Sequence, residues 1–426
     1  MAEFTAEVFQ NEFLPDGGTD VHAVVTVTCS GAGEAGRSGD GAAGEIVIVD
    51  TSGSMQGDKI VAAQTAAAAA IDQILDGTWF AVIAGTDGAS RIFPYPNAPM
   101  AMVPMEPAAR AEAKRAVSRL VAGGGTAMGA WLRLAKRVFE SQPQVTQRHA
   151  ILLTDGRNQS EAPEVLASSV NSVQGFLQCD CRGVGVDWDV NELRGVATAL
   201  LGSVDLIPDP RLMADAFAEL MQRAMSRGVA DAQLRIWAPQ GAGVLFVRQV
   251  SPTVEDLTGR RIDVNNLTAG FPTGAWSDES RDYHVAVRLP AKPIGSEQLA
   301  ARVQLVVHDQ IVASGLVKAL WSDNDSLTTR INPEVAHYTG QTELAAAIQD
   351  GLAAKAAGDE NTARLKLGRA VQLAEQTGNE EATSKLRKVV DVEDAVTGKV
   401  ALKSGVDRLD EMALDTSSTK TTRVKK

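Results

Sequence analysis

Glu45-Ile-Val-Ile-Val-Asp50-Thr51-Ser52-Gly53-Ser54 is the stretch on which the fold turns. The apolar run 46–49 reads as a strand buried on both faces, the pattern of a parallel sheet. A carboxylate follows at once, then serines two and four residues further on, in a loop kept tight by Gly53. That spacing lets alternate side chains converge on one point.

Outward from this stretch, short apolar runs alternate with helical segments. Helices are expected over 58–75, 107–120, 127–140, 163–176 and 211–225, and strands over 79–84 and 150–154, with 180–186 continuing the alternation. A βαβα series of this kind predicts a doubly wound, mostly parallel α/β sheet with helices on both faces. In such sheets ligands bind beyond the carboxyl ends of the strands, where the strand order reverses. Two further pieces belong there. Gly123-Gly124-Gly125-Thr126 precedes a helix, and its glycines let the backbone pass close by and present the Thr126 hydroxyl. Thr154-Asp155-Gly156 ends a strand.

Asp50, Ser52, Ser54, Thr126 and Asp155 therefore form a candidate metal site of two carboxylates and three hydroxyls. A hard cation suits it: Mg²⁺ takes an octahedron of oxygens with one or two carboxylates and retained waters, and Mn²⁺ or Ca²⁺ are alternatives. The set contains no His or Cys, which argues against zinc. With at most five protein ligands, some of them through water, one position stays open.

This pattern resembles the metal-ion-dependent adhesion site of von Willebrand factor A domains. The resemblance covers roughly 45–225, with D-x-S-x-S complete and the later Thr and Asp in place; the run from Gly183 to Asp189, Leu193 and the run from Leu206 to Asp209 also look like the family. It implies a protein-interaction module in which a partner's Asp or Glu fills the open metal position. D-x-S-x-S alone is a weak pattern, since Asp50 or Ser54 could merely cap a helix; Thr126 and Asp155 make it specific. The order of segments resembles intracellular bacterial members of the family.

The remaining chain organises around this unit. Alternation over 4–29 predicts strands, and the Gly- and Ala-rich stretch 30–44 a loop or boundary. Strands without helices return after 230. They are too few for a sandwich alone, so strands in 1–35 are expected to complete it and the unit at 42–228 to be inserted in, or followed by, an antiparallel sandwich over 229–325. Apolar stripes at Leu344, Ile348 and Leu352, then Ala363, Leu367, Ala370, Val371 and Ala374, predict a helical region over 326–412, a plain bundle or a tetratricopeptide-like pair. Residues 413–426, rich in Thr and Lys, are expected to be disordered.

Bulk properties narrow the function. The formal net charge of −12 disfavours nucleic acid as a main partner. No signal peptide or membrane-spanning run is read, and Cys29, Cys179 and Cys181 do not look like a disulfide framework, so a cytoplasmic setting is expected. Cys179 and Cys181 are expected to be a buried structural pair, and Asp187 and Asp189 a solvated loop.

The leading expectation is a non-enzymatic, metal-dependent protein-binding module in intracellular signalling or complex assembly. The alternative is a regulatory subunit of an ATPase or chelatase-type complex; no G-x-x-x-x-G-K-[ST] loop occurs, so the chain is not itself a P-loop ATPase. A metal-dependent hydrolase ranks third, for want of a general base or second metal. The tail threonines Thr416, Thr419, Thr421 and Thr422, close to Lys420, Arg423, Lys425 and Lys426, add a candidate target for a Ser/Thr kinase and a phosphothreonine-reading domain.

Overall fold

The structure, a computed structural model, describes residues 2–35, 37, 42–94 and 99–424. Part of the loop expected over 30–44, and Lys425 and Lys426 of the tail, lie outside the described residues. The chain divides into two compact units. One comprises 32–230 with 274–277; the other joins 2–31, 231–273 and 278–426.

The first unit is built on a sheet of seven strands among the described residues. Their order is Val204–Ile207, Gln178–Val184, Val145–Thr154, Ala42–Asp50, Trp79–Gly85 and Ala89–Phe93, with the short Val103–Pro104 also on Trp79–Gly85. The first five run parallel, and the last two pair antiparallel. Ala42–Asp50 lies centrally and is buried almost throughout, as the unbroken run Ile46–Val49 requires. Each of these side chains contributes about 1.5–3 kcal/mol by leaving water. The helix Asp58–Gln73 buries Ala63, Ala66, Ala67, Ala70 and Ile71. Small side chains there let helix and sheet approach closely.

The sequence order explains where the sheet reverses. The chain leaves the central strand to one side, for Trp79–Gly85, and later returns on the other, at Val145–Thr154. The switch point thus falls between the carboxyl ends of Ala42–Asp50 and Val145–Thr154. Two Gly–Trp contacts pin this end of the sheet. A Cβ on Gly85 would stand 2.3 Å from the Trp131 ring, and one on Gly183 2.0 Å from Trp188, so only glycine admits the indoles. Each indole N–H then finds a carbonyl, Trp131 that of Thr86 at 2.7 Å and Trp188 that of Gly185 at 3.0 Å.

A buried polar cluster holds the strands nearer their other end. His149 Nδ1 stands 2.7 Å from Glu45 Oε2 and its Nε2 2.8 Å from Asp180 Oδ2. Asp180 also accepts from the Ser203 amide and hydroxyl, each at 2.6 Å, and from Arg227 at 3.2 Å. Glu45 is the interruption in an otherwise apolar strand, and this cluster is what permits it.

In the second unit the first strands of the chain pair with much later ones. Asp20–Ser30 lies between Glu3–Gln10 and Glu279–Arg288, in a five-stranded antiparallel sheet that continues through Gly243–Ser251 and Glu255–Asp256. A six-stranded sheet has the order Ile262–Asn265, Thr268–Trp276, Val229–Trp237, Glu297–Val307, Gln310–Trp321 and Phe13–Leu14, whose last pairing is parallel. The sheets face one another: a Cβ on Gly315 of the second would meet Val8 and Val25 of the first, at 2.5 and 3.6 Å. The α/β unit is thus an insertion in the sandwich, between the strands Asp20–Ser30 and Val229–Trp237.

The helices Pro333–Ala356, Glu360–Thr377, Glu380–Val389 and Arg408–Ser417 follow. Two expectations fail here. The helical region also contains a hairpin, Val390–Asp394 with Lys399–Leu402. The tail is not disordered through the described residues. Lys420 bridges to Thr253, the Thr421 hydroxyl donates to the Val250 carbonyl at 2.7 Å, and Gln341 donates to the Thr422 hydroxyl at 2.9 Å. Polar side chains that cannot build a core can still dock on open backbone groups at a sheet margin. Thr416 is buried and its hydroxyl bonds its own helix.

The His149 cluster makes a prediction about pH. Burial pushes the imidazole pKa down, but Glu45 and Asp180 outweigh it and hold the value at about 9, against an ordinary 6.5. A group raised on folding stabilises fully below its unfolded value, and the effect is lost as pH rises through the folded one. His149→Gln should therefore cost about 3 kcal/mol at pH 7. Its deficit in melting temperature against wild type should shrink between pH 7 and 10. A deficit that stays constant over that range would refute the linkage.

Candidate metal centre

Asp50 ends the central strand. Its Oδ1 accepts from the Ser52 amide at 2.7 Å, a local turn that bends the chain, and its Oδ2 accepts from the Thr154 hydroxyl at 2.6 Å. Backbone bonds then stitch the first loop to the glycine loop: Gly123 N to Thr51 O at 2.8 Å, and Gly53 N to Gly124 O at 2.9 Å. Gly124 takes φ +79°, a turn glycine makes without strain.

A hydroxyl relay joins the loops to the second carboxylate. Ser54 donates to Asp155 Oδ1 at 2.6 Å, and with its single proton so used, it accepts from Ser52 at 3.0 Å. Thr126 reaches the same place from the third segment. A Cβ on Gly156 would stand 3.3 Å from the Thr126 hydroxyl and 3.4 Å from that of Ser54. All five expected residues are thus brought together at the sheet's switch point.

Thr126 is held by contacts far away in sequence. Its amide donates to the Ser160 hydroxyl at 3.0 Å and its carbonyl accepts from the Ser160 amide at 2.9 Å. The next helix, Met128–Glu140, has its first amides capped from the same loop: Met128 N by Asn158 at 2.7 Å and Gly129 N by Glu161 at 2.5 Å.

The donor set fits a hard dication. Asp50 and Asp155 are fully buried, and burial raises the Asp50 pKa, as does the charge of Asp155, against the hydrogen bonds from Thr154 and Ser52. A cation relieves that repulsion. Among the described residues no three His, Cys, Asp or Glu side chains converge as a metal site would, so hydroxyls must complete any shell around the two carboxylates.

The sequence profile of the von Willebrand factor type A domain matches residues 46–158, and that of the von Willebrand factor type A C-terminal domain matches 372–418. A solved von Willebrand factor type A protein from Catenulispora acidiphila is 47% identical to this chain, covering 99% of it and 97% of that protein, with a TM-score of 0.93. The chain belongs to the von Willebrand factor type A family. The ArnB paralog VWA2 from Sulfolobus acidocaldarius, 14% identical with a TM-score of 0.59 over 98% of both chains, shares the fold. An uncharacterized protein of Synechocystis sp. is 30% identical over 216 residues, 50% of this chain; the chain spans about half, 49%, of that curated relative's length.

Several features of this A domain escape sequence reasoning. Of the five expected ligands, Asp50, Ser52, Thr126 and Asp155 are buried and only Ser54 is exposed. Lys59, unremarked in the sequence, places its ammonium 2.5 Å from Asp155 Oδ2 and 3.7 Å from Asp187. Asp189 caps the helix Val190–Ala199 through the amides of Asn191 and Glu192. Cys179 and Cys181, by contrast, are buried free thiols as the sequence led one to expect.

Thr154 orients Asp50 without being a proposed ligand. In EDTA, Thr154→Val should lower stability by about 1–2 kcal/mol, because it leaves a buried carboxylate oxygen short of a donor. Thr154→Ser should recover most of the loss. Urea denaturation checks this, and a Val variant as stable as wild type would refute it.

Proposed function

We propose that the chain is a metal-dependent protein-binding module, not an enzyme. Asp50, Ser52, Ser54, Thr126 and Asp155 would hold a divalent cation, Mg²⁺ foremost, with Mn²⁺ or Ca²⁺ as alternatives. Bound there, the cation would supply a positive, oxygen-seeking position open to an Asp or Glu of a partner protein. The observation that carries this reading is the convergence of oxygen side chains from three separate segments at the switch point of the sheet.

The residues divide the work. Asp50 and Asp155 provide the charge. Ser52 and Ser54 align through the hydroxyl relay, and Thr126 arrives on the glycine loop stitched to them. Ser54, the exposed member, stands where a partner arrives. The absence of a third carboxylate or a His in contact with the pair, among the described residues, supports binding over hydrolysis. Three free, buried cysteines support a reducing, cytoplasmic setting, and no helix among the described residues is long and apolar enough to cross a membrane. Roles in signalling or complex assembly both accommodate such a module.

Calorimetric titration of Mn²⁺ into wild type and into the double variant Ser52→Ala with Ser54→Ala tests the site. The double variant should keep its fold and bind at least about tenfold more weakly. Partners captured from native lysate should be retained in Mg²⁺ and lost both in EDTA and with the double variant. Equal metal affinity in the two proteins would defeat the proposed ligand set. Capture that ignores EDTA would assign the binding to another surface.

A further inference from the structure

Lys59 is in an unfavourable place for a cation. It is the second residue of the helix Asp58–Gln73, where the helix dipole presents its positive end. A lysine there needs a compensating anion, and Asp155 provides it, with Oδ2 2.5 Å from the ammonium and no exposure to solvent. Asp155's other oxygen takes the Ser54 hydroxyl. The Lys59 side chain is 29% exposed, so its charge is only partly screened. The nearby acidic groups Asp58, Asp87 and Asp187 are exposed, and water screens them more strongly.

The charges can be counted. Asp50 and Asp155 alone present −2 to an incoming dication, and the loaded site would be neutral. With Lys59 the pair presents −1, and the loaded site carries +1. A neutral site has no net charge with which to attract an anion, whereas a positive one does. One ammonium therefore acts in opposite directions on the two binding steps.

We propose that Lys59 is a built-in counter-cation that weakens metal binding at this site and strengthens its capture of a carboxylate. The inference rests on the metal-site reading above and names a determinant of its ligand preference. Lys59 acts through charge and need not touch the ligand. Its second acidic neighbour, Asp187 at 3.7 Å, partly offsets it.

The test separates charge from hydrogen bonding. Lys59→Gln keeps a donor for Asp155 but removes the charge, and Lys59→Arg keeps the charge. Mn²⁺ affinity is measured by calorimetry. Acetate is then titrated into the Mn²⁺-loaded protein and followed by water-proton relaxation, which drops as a carboxylate displaces water from Mn²⁺. Lys59→Gln should tighten Mn²⁺ roughly tenfold and weaken acetate several-fold, about what a unit charge a few ångströms away supplies at a partly exposed site. Lys59→Arg should stay near wild type. Asp187→Asn, at a side chain 68% exposed and so harmless to folding, should shift both constants the opposite way by about twofold. It keeps the inference testable should Lys59→Gln fail to fold. Both constants weakened in Lys59→Gln would make Lys59 a positioning residue for Asp155 and overturn the inference, as would no change in either. A wild type that binds no Mn²⁺ would overturn the site reading itself, and this inference with it.

Discussion

A strand with parallel neighbours on both sides and helices on both faces has no water to offer its side chains. Ala42–Asp50 is under that constraint along its whole length, so its residues must be apolar until the sheet ends. The exception, Glu45, is tolerated because His149 and Asp180 lie close by to share its charge. At the other end Asp50 stands beside a second strand that ends at Thr154, with Asp155 just beyond it. Two like charges so close, both buried, are acceptable only where hydroxyls, amides and a cation surround them. The loops at this end supply that surrounding.

Much of this was legible because it depends on period and punctuation. The run Ile46–Val49, the alternation of short strands with longer helices, and glycines beside Ser52 and Thr126 all bear on local geometry, and local geometry is what residue order encodes most directly. The convergence of Asp50, Ser52, Ser54, Thr126 and Asp155 followed from placing each at the carboxyl end of a parallel strand or on a tight loop. The same logic located the insertion, since strands near the amino terminus that lack partners must find them somewhere, and Asp20–Ser30 finds Glu279–Arg288.

What escaped was governed by contacts between distant residues. Nothing local to Lys59 announces that its ammonium reaches Asp155, 96 residues away. Nor does the sequence say that Ser160, Asn158 and Glu161 satisfy the amides around Thr126 and the next helix. The hairpin left a signal that went unread: Val390 and Val392 alternate, Val400 and Leu402 face them, and Gly398 turns the chain at φ +69°. The tail was misjudged because composition measures the capacity to build a core, not the capacity to satisfy one already built. Thr421 and Thr422 contribute hydroxyls and backbone groups to bonds that cost little to form beside a sheet margin.

The hydroxyl relay from Ser52 through Ser54 to Asp155 runs in one direction, because each hydroxyl has one proton to give. Ser54 spends its proton on Asp155, and Ser52 spends its own on Ser54. Lone pairs on both oxygens are thereby left free, and lone pairs, not protons, are what a cation requires. In the proposed metal site the relay would thus present the serines as acceptors, with the folded chain carrying the cost of aligning them.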